Sequence, residues 1–265
     1  MKKIAILAII AVVLTFSSCD DFFKTTWGNQ RSYDPSNIDV TPGNIDEWAA
    51  AVLGNPDLAG AVSEAIIEKL KNTSDPAEKA ALLDGGVKIA VESSGLGESL
   101  LTRGAELLGD AEDINEDTIL ELLEKIQSDF NSGNGVQAAD YIAEMLVGCI
   151  SIGPPAGVPH FDPEYANIVK PGDVAEAILV LILGELGRDD ELTMDDWDDI
   201  KNLCAGLDID FDTGDYPHVV VTDETVVSDT ALALAAYLNL IIDNPDKFAD
   251  NPLTDAIRNA FFGDE

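Results

Sequence analysis

The sequence predicts an all-α protein, a multi-helix domain of short amphipathic helices with little or no β structure. Most apolar blocks repeat every three or four residues, which is the period of a helix face. Asn, Ser, Thr or Asp stands before many of these blocks, and Gly or Pro follows several of them, as at the ends of helices. The chain is 46% hydrophobic, so it can form a core despite its many charges.

The first half of the domain contains five predicted helices. Asn44 and Glu47 have the spacing of a capping box, Asp57 is placed to cap the second helix, and Asp75 with Pro76 starts the third. Gly85-Gly86 predicts a kink or break within that third helix. The predicted ranges are 45–53, 57–71, 76–94, 98–108 and 115–130.

The second half begins with a predicted helix over 136–152, followed by a Pro- and Gly-rich loop over 153–172. This loop is the candidate boundary if the domain has two lobes. Asp173 opens a helix whose segment 177–183 is apolar on every side, which predicts a central position in the core. Further helices are predicted over 193–206, 228–243 and 252–262, and a single strand over 219–221.

The N-terminus has the pattern of an export signal. Lys2 and Lys3 precede an apolar run of about a dozen residues that is too short for a permanent membrane span. The run leads through Ser17 and Ser18 to Cys19, and this resembles the lipobox of bacterial membrane lipoproteins over residues 1–19 only. The resemblance implies that the thiol of Cys19 is acylated, for example with palmitate, and becomes the lipid-anchored N-terminus. The alternative is an ordinary signal that is cut near Ser18 and leaves a soluble protein.

The resulting domain plan has three parts. Residues 1–18 form the lipoprotein signal peptide, 19–43 the lipidated cysteine and a flexible tether, and 44–265 the acidic all-helical domain. The expected location is the bacterial cell envelope, with the N-terminus anchored in a membrane. Whether this is the inner or the outer membrane stays open.

The charge of the chain limits its partners. There are 50 acidic against 15 basic residues, a formal charge of −35 that becomes more negative when Lys2 and Lys3 leave with the signal. Such a field repels phosphates, so nucleic acid is excluded as a partner, and it attracts cations or a protein with a basic surface. General solubility and adaptation to high salt are alternative explanations of the same bias.

The chemistry-bearing residues form no known catalytic motif. The two histidines, His160 and His218, belong to no metalloprotease helix, nucleophile elbow or zinc spacing, and no phosphate-binding glycine loop is present. A hydrolase that uses one of these histidines or a loop carboxylate therefore remains only an alternative. Cys149 and Cys204 could form one disulfide outside the cytoplasm, or each could be a free buried thiol.

One acidic segment has the composition of a cation site. Alternating carboxylates on a short loop can converge on a hard cation, and calcium suits flexible oxygen ligands better than magnesium does. The match to a calcium-binding EF-hand loop is incomplete, because the glycine comes one place late and Val219 stands where the closing Glu belongs. A solvated acidic turn is the alternative. The candidate ligands are Asp208, Asp210, Asp212 and Asp215.

The sequence thus predicts a lipid-anchored, acidic helical envelope lipoprotein that acts as a non-catalytic binding or scaffold module and needs no cofactor to fold. The alternatives are an envelope hydrolase and a structural surface lipoprotein with a weak calcium loop.

Overall fold

The computed structural model describes residues 35–96, 130, 134–153, 157–188, 209–211, 218–221 and 227–249. These residues are mostly helical, with two short antiparallel strand pairs, so the predicted all-α class is confirmed. The helices are α1 (Ile45–Val52), α2 (Pro56–Asn72), α3 (Pro76–Ser93), α4 (Gly135–Val147), α5 (Pro163–Ile168), α6 (Pro171–Arg188), α7 (Asp229–Asp243) and α8 (Pro245–Phe248). The strands are β1 (Ile150–Gly153), β2 (Val158–Phe161), β3 (Ile209–Phe211) and β4 (Val219–Val221). The helices predicted over 98–108, 193–206 and 252–262, and that over 115–130 except for Phe130, lie outside the described residues.

Helix starts follow the predicted capping chemistry at α3 and α7 and differ from it at α1, α2 and α6. Helix α6 begins at Pro171, so Asp173 lies in its first turn rather than before it. The side chains of Asp75 and Ser228 accept hydrogen bonds from backbone N–H groups in the first turns of α3 and α7, as expected. At α2 the capping residue is Asn55 rather than Asp57, because Pro56 already occupies the first helical position. Asn44 makes no side-chain cap for α1, since its Oδ1 accepts from Thr41 N at 2.7 Å instead.

The predicted break at Gly85-Gly86 is wrong, because α3 runs without interruption from Pro76 to Ser93. Both glycines are buried and lie where neighbouring side chains approach the helix closely. A Cβ at position 85 would collide with Ile45 of α1, and one at position 86 would come within 2.8 Å of Met145 Sδ of α4. The glycine pair therefore allows neighbouring side chains to pack closely against α3.

Helix α6 lies at the centre of the core, as its uniformly apolar segment predicts. Val174, Ala177, Ile178 and Leu181 have no exposed surface. The helix packs against α4, α7 and α3, and α3 in turn packs on α2. Helices that precede and follow residues 153–172 thus share one hydrophobic core. The division of the whole chain into lobes stays a prediction.

The structure contains β hairpin pairing where the sequence predicted a helix end and a loop. Helix α4 ends at Val147 rather than continuing to 152, and Ile150 to Gly153 pair with Val158 to Phe161 in an antiparallel register. Residues 153–172 are therefore not simply a loop, since they contain β2 and the short helix α5. The β-branched Ile150 and Ile152 favour extended structure after α4 has ended at Val147.

The predicted strand over 219–221 is confirmed, and its partner β3 was not predicted. The two strand pairs are linked, because Val221 N donates to Gly157 O at 2.8 Å. Asn239 of α7 fastens this region to the core. Its Nδ2 donates to Val219 O and Pro159 O, and its Oδ1 accepts from Val219 N. One buried side chain thereby holds β2 and β4 against α7.

The packed region begins before residue 44. Val40 is buried and Ile38 packs partly against the core, so the last residues of the predicted 19–43 tether belong to the folded domain. Within the described ranges, no helix has both the length and the apolar character needed to cross a membrane.

Candidate functional site

An acidic cleft of about 510 Å³ opens where the middle of α4, the C-terminal half of α6 and the start of α7 meet. Its size is within the usual range of small-ligand sites. Four of its seven described lining residues are carboxylates and none of the seven is basic. The lining residues are Asp140, Ala143, Glu144, Glu185, Ser228, Asp229 and Thr230.

The helical period and one helix start explain how these carboxylates come together. Asp140 and Glu144 are four residues apart on α4 and therefore lie on one face of it. Asp229 is in the first turn of α7, directly after the capping residue Ser228, where a carboxylate is stabilised by the helix dipole. Glu185 approaches from α6 and is 91% buried.

The charges at the cleft favour a positively charged occupant. All charged groups among the described lining residues are acidic, and a surface of one sign concentrates ions of the other sign. The chain itself supplies a lysine at its edge, because Lys71 Nζ lies 3.4 Å from Glu144 Oε1. Both of these side chains are more than half exposed, so this ion pair is weak and can be replaced by an external cation.

The two histidines form a second cluster at the other end of α7. His160 Nδ1 lies 3.3 Å from Asp243 Oδ2, and His218 Nε2 lies 2.9 Å from Asp243 Oδ1. The rings meet edge to face with their centroids 6.4 Å apart. His160 lies in β2, His218 immediately precedes β4, and Asp243 is the last residue of α7. Asn239, one turn before Asp243, bonds the backbone of β2 and β4 and so fixes the positions of both histidines relative to Asp243.

This cluster has one element of acid–base chemistry, a histidine oriented by a carboxylate. Each histidine contacts a different oxygen of Asp243, which is a bridged arrangement rather than convergence on one point. Within the described ranges no group of three or more His, Cys, Asp or Glu side chains is arranged to hold a metal ion. His160 and His218 are not among the described lining residues of the acidic cleft.

The site residues predicted from sequence lie largely elsewhere. Cys19, Asp208, Asp212 and Asp215 are outside the described residues. Asp210 is in β3, where it pairs with Val220, so this part of the acidic segment is an extended strand rather than a tight loop. The proposal of a calcium site therefore depends on the residues on either side of β3.

Cys149 is a free thiol, buried after the end of α4, and its Sγ donates to Leu146 O at 3.0 Å. Burial raises the pKa of this thiol to about 12, with the charge of Asp162 adding to the rise. A thiol that keeps its proton at neutral pH is a poor nucleophile. The sequence allowed either a disulfide or a free buried thiol, and Cys149 is a free buried thiol. Cys204 is outside the described residues.

Sequence reasoning did not identify the acidic cleft. Its one local signal is the pair Asp140 and Glu144 on a single helix face, and such pairs are common in a chain with 50 carboxylates. Glu185 and Asp229 join them only through the packing of α6 and α7 on α4.

Comparison with protein-family models, curated proteins and solved structures gives no match for this chain.

Proposed function

We propose that this protein is a bacterial envelope lipoprotein, anchored through Cys19, whose helical domain is a non-catalytic binding module for a partner with a basic surface. The observation that carries the binding role is the acidic cleft between α4, α6 and α7. A lysine or arginine side chain fits its chemistry, because long cationic side chains combine an apolar stem with a charged tip.

The lipobox resemblance supports the anchored location, and the net charge supports the class of partner. A chain of charge −35 attracts any basic protein weakly, whereas a cleft with four carboxylates provides a place where one cationic group is favoured. Specific binding therefore requires the cleft, while general attraction requires only the total charge.

The test measures binding of a fluorescent oligolysine peptide to the full chain at physiological ionic strength. The variant Asp140→Asn/Glu144→Gln should bind roughly five- to tenfold more weakly, because it removes two of the four carboxylates that face the occupant. The control variant Asp46→Asn/Glu47→Gln removes the same charge from exposed positions on α1 and should bind nearly as the wild type does. Equal weakening by both variants would show that only the total charge matters and would overturn the cleft as the binding site.

The hydrolase alternative draws on the His160–Asp243 contact. It requires a substrate pocket beside one of the histidines, and the acidic cleft is lined by other residues. The binding module is therefore the role with more support. The remaining alternative is a surface lipoprotein with calcium at the 208–215 segment, which rests on sequence composition.

A further inference from the structure

One lysine side chain links the end of α2 to the edge of the acidic cleft. Lys71 Nζ lies 2.8 Å from Glu68 Oε1 on its own helix and 3.4 Å from Glu144 Oε1 on α4. Glu144 lines the cleft, whereas Glu68 is not among its described lining residues. Lys71 therefore pairs with one carboxylate that belongs to the cleft and with one that lies outside its described lining.

The backbone that carries Lys71 is held in place at the end of α2. Leu70 next to it is buried, and Thr73 N donates to Leu70 O at 3.2 Å where the helix ends. Helices α2 and α4 pack on each other, and the Tyr141 hydroxyl of α4 donates to Glu64 Oε1 of α2 at 2.8 Å. The fold therefore sets the point from which the lysine reaches Glu144, and only its side chain has to move for the contact to open.

The contact between Lys71 and Glu144 opens easily. The side chains are 54% and 52% exposed, and an ion pair between exposed groups contributes little free energy. The flexible four-carbon stem of a lysine also lets the ammonium group turn into solvent. Displacement of Lys71 from Glu144 therefore requires no rearrangement of the core.

Lys71 keeps a partner when it leaves the cleft. Glu68 is three residues earlier on α2, at the spacing that places two side chains on one helix face, and its carboxylate is the closer of the two. The ammonium group donates a hydrogen bond to Glu68 Oε1. The lysine can therefore give up Glu144 without losing its second acidic partner.

The ammonium group of Lys71 balances the charge of Glu144 at neutral pH. The hydrogen bond to Glu68 raises the pKa of the lysine above its ordinary value, and Glu144 adds to the rise, so the group stays charged. A basic group of a partner that approaches Glu144 must therefore replace a positive charge that the chain already provides.

We propose that Lys71 is a built-in competitor of the cationic partner, which pairs with Glu144 until the partner binds and then keeps Glu68 alone. The inference rests on the binding role proposed above for the cleft, and it names a residue that regulates this binding. Because an intramolecular lysine always stays near its acceptor, it competes well with a single external cation. A partner with several basic groups is less affected, since its other groups bind the remaining carboxylates of the cleft.

The test measures the affinity of the full chain for the fluorescent oligolysine peptide at physiological ionic strength. Lys71→Met should bind the peptide roughly threefold more tightly than the control Lys69→Met, because one exposed ion pair no longer has to be broken. The two variants change the net charge equally, and Lys69 is two residues earlier on α2, so it does not share a helix face with Lys71. In a Glu144→Gln background the difference between the two variants should disappear, since the carboxylate for which Lys71 competes is gone.

Two results would contradict the role of Lys71. Equal affinities of Lys71→Met and Lys69→Met would show that the lysine does not compete, and a difference that persists in the Glu144→Gln background would show that it acts only by general repulsion. Failure of the proposed function gives a different result, because the cleft variant Asp140→Asn/Glu144→Gln would then bind as its exposed control on α1 does. If the cleft variant and its control differ as expected while the two lysine variants do not, the cleft remains the binding site and only the competitor role is lost.

Discussion

Single residues show how tightly this acidic chain is packed. Gly184 on α6 lies against Ala139 of α4, and a Cβ at position 184 would overlap the Cβ of that alanine. Gly60 on α2 is also helical, but a Cβ there would lie 3.8 Å from the ring of Tyr141, at an ordinary contact distance. The same amino acid therefore has a packing role in one helix and none in the other.

The prediction is that Gly184→Ala lowers the free energy of unfolding by about 1–3 kcal/mol, because the alanine opposite has no side-chain freedom to move away and α4 must shift. The matched variant Gly60→Ala should raise it by about 0.5–1 kcal/mol, since alanine loses less backbone entropy than glycine on forming a helix. Urea denaturation of both variants measures the two values. A stabilised Gly184→Ala would contradict the close contact between α4 and α6.

At the scale of elements, the sequence predicted helices well and strand pairing poorly. Helices α2, α3 and α7 have local capping residues, and α6 has a long apolar segment, and both features are readable from sequence. The strands are three or four residues long, and their pairing depends on partners 5 to 12 residues away. Asn239 offers no sequence signal, because its role depends on backbone groups about 20 and 80 residues distant.

Prediction of the candidate sites from sequence was limited in the same way, because contacts between distant residues leave no local pattern. Cys19 belongs to a contiguous motif and could be proposed from sequence, whereas the cleft joins residues of α4, α6 and α7. The ion pair between Lys88 of α3 and Asp173 of α6 likewise joins residues about 85 positions apart and depends on how the two helices pack.

Asn239 should be the most sensitive polar position of the described core. Asn239→Leu preserves volume but leaves Val219 N, Val219 O and Pro159 O without their partner, so the free energy of unfolding should fall by about 3 kcal/mol or more. The control Asn72→Leu removes one exposed hydrogen bond to Glu68 O and should change it by less than about 0.5 kcal/mol. Chemical denaturation compares them, and equal values for both variants would show that Asn239 does not fasten the strands.

For the whole molecule, the acidic surface and the helical core have separate roles. The described core is almost entirely apolar; of its buried polar residues, Asn239 bonds the backbone of β2 and β4, and Glu185 lies at the acidic cleft. Most charged side chains of the described residues lie outside this core, and in the function proposed above they attract a cationic partner. An anchor at the N-terminus would keep such a domain near a membrane whose anionic lipids repel it, so the chain would extend away from the surface.

The last prediction concerns that anchor. In cells fed a labelled fatty acid, the wild-type protein should acquire the label and Cys19→Ala should not, because the lipobox resemblance makes this thiol the acceptor. Cys149→Ala is the matched control, since Cys149 is a buried free thiol and its removal should leave labelling unchanged. The wild type should also sediment with membranes, because multiple acyl chains hold a protein far more firmly than one. Equal labelling of the wild type and Cys19→Ala would refute the anchor and favour the soluble protein that an ordinary export signal would release.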